Sequence, residues 1–184
     1  MKILRYTRTA MLLHWLIAVL IIGLFALGLY MADLPLSPQK LKLYSYHKWA
    51  GISVLLLALL RIVWRLTHTP PPLPASQPRW QQQAAHAGHL LLYVLIIAAP
   101  LSGWLMSSAL GFPVVWFGVL PLPDLIAKNK PLGEVLELVH RYLNYAFIAI
   151  VAGHLLAALK HQWLDRDGTL SRMLPGPRSE EYRP

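Results

Sequence analysis

The 184-residue chain is 56% apolar and only 14% charged, with a mean hydropathy of +0.46, well outside the range of a soluble domain. Its formal charge of +9 does not point to nucleic acid, because the Lys and Arg residues stand singly beside apolar runs and form no continuous basic stripe. The complete lack of cysteine excludes disulfides, thiolate metal sites and iron–sulfur clusters, and leaves histidine as the strong transition-metal ligand.

In chain order, the first apolar stretch runs from Thr9 to Tyr30. It follows Lys2, Arg5 and Arg8 as a signal peptide would, but its length, the His14-Trp15 pair and the lack of a small-x-small cleavage site read as a retained helix. A second stretch covers Tyr44 to Leu66. The connection from Thr67 to Arg79 carries Pro70, Pro71, Pro72, Pro74 and Pro78, which cannot continue a helix and favour an extended strap on the membrane surface. A third stretch spans Ala85 to Ser107 and a fourth Leu136 to Leu159. Between them, Ala109 to Gly133 sets Pro113, Pro121, Pro123 and Pro131 among Phe112, Trp116 and Phe117. That segment is expected to fold back onto the interface and cap the bundle. Each stretch can cross a hydrocarbon core of about 30 Å. The expected fold class is therefore all-α, an integral membrane four-helix bundle filling residues 1–184 as one domain.

Basic residues orient it. The N-terminus, the second connection and the C-terminal tail carry Lys2, Arg5, Arg8, Arg61, Arg65, Arg79, Lys160, Arg166, Arg172, Arg178 and Arg183, against Lys40, Lys42, Lys48, Lys128, Lys130 and Arg141 on the other side. The positive-inside rule places both termini in the cytoplasm.

Ionisable residues within spans are costly and usually functional, so the depths of the histidines matter. His14 lies inside the cytoplasmic end of the first span, His47 inside the outer end of the second, and the fourth carries both His140 and His154. The spacing from 140 to 154 is close to four helical turns, so both imidazoles project from nearly one face, about 21 Å apart along the axis. One site near each membrane surface follows. On the outer side the partner is His47; on the inner side His14 and His89 compete. Bis-histidine ligation suits haem iron and leaves no open position, which favours an electron carrier. The bland reading of any single histidine is an interhelical hydrogen bond; the depth-matched pairs and the lack of carboxylates deep in the spans favour haem over a histidine-lined metal transporter.

These residues resemble the bacterial cytochrome b561 family, related to the membrane cytochrome b subunits of hydrogenases and formate dehydrogenases. The resemblance covers nearly the whole chain and is carried by LLHWLIA with His14, YSYHKWAGISVLLLALLRIVWR with His47, AAHAGHLLLYVLIIAAPLSGWLM, and VHRYLNYAFIAIVAGHLLAALKHQWLDRDGTLSRMLPG with His140 and His154. It implies two haem b groups, the cytoplasmic one held by His14 with His154 and the outer one by His47 with His140. It also implies a membrane cytochrome moving electrons between an outer-face partner and quinone, ubiquinone being the expected exchangeable species. Superoxide oxidation is one activity known in that family. The rival within the resemblance is an anchor subunit of a larger dehydrogenase or hydrogenase complex.

Other residues carry weaker expectations. Gly51 and Gly153 would let a macrocycle approach the backbone, although ordinary helix packing is the simpler account. Lys48 or Arg141 outside, and Arg8, Arg61 or Arg65 inside, lie at depths suited to propionates; snorkelling anchors would look the same. A quinone headgroup beside the inner haem needs a proton donor or acceptor. His161, seven residues past His154 with Lys160 and Asp165 beside it, is a candidate, as are His86 and His89. Lys40, Lys42, Lys48, Lys128, Lys130 and Arg141 would attract a small anion to the outer face, or simply contact headgroups. His68 reads as a surface residue.

Overall fold

Each expected span is the apolar middle of a longer helix. The computed structural model describes residues 5–74 and 77–176, so Lys2, Arg178 and Arg183 lie outside the described residues. The helices are α1 (Arg8–Ala32), α2 (Pro38–Thr67), α3 (Arg79–Leu110) and α4 (Lys130–Lys160). All four are long and apolar enough to cross a membrane. A hydropathy window marks only the part in hydrocarbon, whereas the helix starts are set by caps in the polar flanks. Thr7 Oγ1 accepts from Ala10 N at 3.3 Å, Ser37 Oγ from Lys40 N at 3.2 Å, and Asn129 Oδ1 from Leu132 N at 3.1 Å. Pro38 and Pro131 sit in first turns, where a missing N–H costs nothing. Gly111, left-handed at φ 76°, ends α3.

The helices pack unevenly. α1 packs chiefly on α2, and α3 chiefly on α4, with α2 and α3 joining the two pairs. Gly133 makes the α3–α4 crossing close: a Cβ there would collide with the Leu110 side chain. α4 approaches α1 only slightly and α2 hardly at all. A small core of Ile17, Val54, Ala58, Leu95, Ile96, Ala99 and Phe147 draws on all four helices at mid-bundle. Large side chains such as Leu12, Val19, Leu90 and Leu156 point outward, as a lipid-facing surface requires. Only 6% of the most apolar window of the fourth span is buried within the protein, against 28% for α3, so it is the least buried of the four spans.

The long connection folds back onto one end of the bundle as expected, with a short hairpin that was not. β1 (Val115–Trp116) pairs antiparallel with β2 (Leu120–Pro121) around Phe117 and Gly118, both at positive φ. Trp49 Nε1 donates to Val115 O at 2.6 Å and Trp116 Nε1 to Trp49 O at 3.2 Å, stitching the hairpin to α2. At the other end, α4 passes into a wide turn at His161–Asp165 with i→i+5 character and a 3-10 turn at Leu170–Met173. That segment crosses the bundle end: Tyr6 N donates to Arg172 O at 3.2 Å, and Arg172 donates to the Pro72 carbonyl of the Pro-rich strap. Both described ends of the chain thus lie at the same end of the bundle.

Candidate functional site

Histidines meet across two helix pairings that pack sparingly, α1 with α4 and α2 with α4. His14 of α1 faces His154 of α4 with ring centroids 6.2 Å apart and planes at 72°; His47 of α2 faces His140 of α4 at 6.3 Å and 86°. Metal–imidazole bonds of about 2 Å put two rings bound on opposite sides of one metal about 6 Å apart, centroid to centroid. Both pairs fit that requirement. His89 also reaches His154, at 5.5 Å and 63°.

The His47–His140 pair opens on a cleft of about 500 Å3 lined by His47, Gly51, Pro100, His140, Asn144 and Phe147. His47 Nδ1 is buried without a hydrogen-bond partner, the kind of polar atom that a missing group would account for. Sequence reasoning missed the residues that frame these rings. A Cβ on Gly103 would come within 3.0 Å of His140 Cε1, and one on Gly28 within 3.4 Å of His47 Cε1. Ser102 Oγ lies 2.8 Å from His140 Nδ1, and Asn144 Nδ2 donates to the His140 carbonyl at 2.7 Å. The packing role expected for Gly51 and Gly153 is not met, since a Cβ on either would have nothing within 4 Å. Gly153 is exposed, whereas Gly51 lines the cleft with His47, and open space there is what a flat macrocycle requires. A histidine donor set, an unpartnered ring nitrogen and unfilled volume together fit haem.

Around the His14–His154 pair, Arg61 is the cation near His14, His89 and His154, and Arg65 also lies near His89. Arg61 donates to Ala10 O at 2.9 Å, while Arg65 sits 5.7 Å over the Tyr93 ring. A second cleft of about 430 Å3 runs past both arginines to Tyr93 and His68. His68 is not a free surface residue: it stacks on Trp64 at 3.8 Å with planes 7° apart. His86 is exposed and joins neither pair.

His161 occupies a polar knot below α4. Its Nδ1 lies 2.9 Å from Asp165 Oδ2 and 2.8 Å from Asp167 Oδ2, without hydrogen-bond alignment to either. Lys160 Nζ holds Asp165 Oδ2 at 2.6 Å. Asp167, only 4% exposed, accepts from Gln77 Nε2 at 2.8 Å and from Thr169 N at 2.9 Å. Burial alone would raise its pKa; the hydrogen bonds from Gln77 and Thr169, with His161 close by, overcome this and hold it below the ordinary carboxylate value. Asp167 is the member of this group that sequence reasoning did not single out.

The Lys and Arg residues expected at the outer face are largely engaged. Lys40 Nζ donates to Ala32 O at 3.1 Å and Lys48 Nζ to Phe112 O at 2.9 Å; Lys130 pairs with Glu134 at 3.9 Å and Arg141 with Glu137 at 2.9 Å. Lys42 lies 5.8 Å over the Tyr46 ring, and Lys128 packs along Gly111. Asp33, Asp124, Glu134 and Glu137 share that side and offset much of its charge.

The family model described as prokaryotic cytochrome b561 matches residues 5–176. The chain is 37% identical over 180 residues to cytochrome b561 homolog 2 of Escherichia coli (strain K12), covering 97% of this chain and 95% of that protein. It is 30% identical over 166 residues to a protein of Yersinia pestis named probable superoxide oxidase CybB, covering 90% and 93%. Cytochrome b561 homolog 1 of E. coli (strain K12) is 27% identical over 175 residues, covering 93% and 97%.

Proposed function

The chain belongs to the prokaryotic cytochrome b561 family, and on that premise we propose that it is a di-haem b electron carrier of the bacterial inner membrane. Both termini are cytoplasmic in this reading, and electrons pass between a redox partner at the periplasmic face and the quinone pool near the cytoplasmic face. The observation that carries it is the pair of ring separations, 6.2 and 6.3 Å, at two levels of one helix.

His14 and His154 hold the inner haem, and His47 and His140 the outer one. When bound, each haem would supply a one-electron iron couple suited to electron transfer. The chain's residues do the rest. The apolar core of Leu95, Ile96, Ala99 and Phe147 excludes water between the two levels. Arg61 and Arg65 offer guanidinium groups to the inner propionates. His161 is the residue that contacts a quinone headgroup in this reading, with the Asp165 and Asp167 carboxylates 2.9 and 2.8 Å from its Nδ1. His89, adjacent to His154, is the second candidate for that contact.

Superoxide is the proposed outer-face donor, supported by the name of the Yersinia relative. Two superoxide ions would each give one electron and leave as dioxygen; with two protons these reduce one quinone to quinol. The outer lysines contribute a modest attraction, since the acids on the same face oppose them.

The test is a dithionite-reduced spectrum with haem quantification on the wild type and on separate Ala variants at His14, His47, His89, His140 and His154. Two haems per chain are expected, with the inner one lost from His14→Ala and His154→Ala but not from His89→Ala. Retention of both in His154→Ala overturns the ligand scheme. Failure of haem-replete protein to reduce quinone with superoxide removes that donor.

A further inference from the structure

We infer that Ser102 is a positioning residue for the outer ligand pair, dictating which nitrogen of His140 is left free to bind iron. The inference rests on the reading that His47 and His140 hold a haem. Ser102 is buried, 6% exposed, two residues past Pro100 on the face of α3 that meets α4. A serine hydroxyl has one proton to give. Here it goes to the Ala99 carbonyl, 2.7 Å away. The oxygen can therefore meet His140 Nδ1, at 2.8 Å, only as an acceptor. Nδ1 must carry the ring proton, and Nε2 keeps the lone pair that a metal needs.

Among the described residues, the Ala99 carbonyl and Asn144 are the other polar groups near the ring. Asn144 commits its amide to the His140 carbonyl at 2.7 Å and stands 3.3 to 3.4 Å from both ring nitrogens, too far to favour one over the other. Gly103, next to Ser102, provides the space: any side chain there would press on His140 Cε1. Ser102 and Gly103 thus seat the ring from two sides, one by a hydrogen bond and one by the lack of a side chain. His47, the opposite ligand, has no equivalent, since its buried Nδ1 has no partner. The outer site is oriented from the α4 side alone.

A hydrogen bond accepted from Nδ1–H makes the imidazole a stronger donor and favours ferric over ferrous iron. Removing it should raise the outer haem's midpoint potential and leave the inner one unchanged. Potentiometric titration of purified holoprotein, comparing wild type, Ser102→Ala and Ser102→Thr, reads this directly. A tenfold loss of ferric preference in Ser102→Ala is expected, which is about 59 mV for one electron, with wild-type behaviour in Ser102→Thr. Loss of the outer haem from the Ala variant but not the Thr variant supports the same role. The Ala99 carbonyl is the other acceptor within reach of His140. An unchanged outer potential in Ser102→Ala means that it suffices, and overturns the inference. So does an equal defect in both variants, which would mark a packing role. His140→Ala separates the two levels of the argument: two haems in that variant sink the ligand scheme, whereas an outer haem lost there beside a silent Ser102→Ala sinks this inference alone.

Discussion

Trp15 donates its indole N–H to the carbonyl of Met173, 2.7 Å away, so the residue next to His14 fastens the last described turn of the chain across the end of the bundle. One hydrogen bond of this kind contributes about 1 kcal/mol. Trp15→Phe keeps the ring and loses the donor. It should lower the thermal midpoint in detergent by a few degrees and speed loss of the inner haem relative to the outer, followed at the Soret band during heating. Equal loss of both haems would mean that the fastening does not bear on the inner site.

Asp167 makes that same region sensitive to acid. Its folded pKa is held below the ordinary carboxylate value, so its contribution is present above the unfolded pKa and is lost as pH falls through the depressed folded one. Limited proteolysis between Asp165 and Met173 should be slow at neutral pH and accelerate only below the usual carboxylate range. Asp167→Asn should be cleaved several-fold faster already at pH 7. Identical pH profiles for the two proteins would show that the carboxylate does not hold the segment.

Glycines on the two sides of the outer rings should behave oppositely. A methyl at Gly103 would meet His140 at 3.0 Å, whereas one at Gly51 would meet nothing within 4 Å. Gly103→Ala should therefore displace the ring and cut outer-haem occupancy severely, with Gly28→Ala milder because its contact is 3.4 Å. Gly51→Ala should leave the protein's stability before haem loading unaltered, yet reduce occupancy by intruding where the macrocycle lies. Full haem content in Gly51→Ala would place the outer haem elsewhere.

The ring planes cross at 72° in the inner pair and 86° in the outer. Ferric iron between crossed imidazoles gives a strongly anisotropic low-spin EPR signal, whereas parallel rings give a rhombic one. Two strongly anisotropic signals are expected, unchanged in His89→Ala. A rhombic signal, or one altered by that variant, would bring His89 into the ligand set.

The parts of this arrangement that were legible in the sequence are those that one helix carries by itself. The spans follow from hydropathy, and the 140-to-154 spacing puts two rings on one side of α4 whatever packs there. The helix starts at Pro38 and Lys130 were not read from the sequence, because the caps Ser37 and Asn129 are chemistry that a hydropathy window does not register. Ser102, Gly103 and Asn144 were not legible. Their contacts with His140 depend on how α3 is rotated against α4, which Gly133 and Leu110 set at a crossing more than a turn away from the histidine. Gly51 was assigned to packing although a Cβ there meets nothing within 4 Å, because no sequence pattern distinguishes a glycine against a neighbour from one against a void. Asp167 looked like tail, since its partner Gln77 lies 90 residues earlier, beyond the Pro-rich strap.

Because α4 supplies one ring to each pair, it acts as a ruler between them. Adding a single residue between positions 140 and 154 would turn one end against the other by about 100°, swinging one imidazole out toward lipid while the other stayed in place. The loops of this protein can lengthen and shorten without that penalty. This stretch can change length only by about a heptad at a time, and its residue count is a harder constraint on the protein's descent than the identity of most side chains along it.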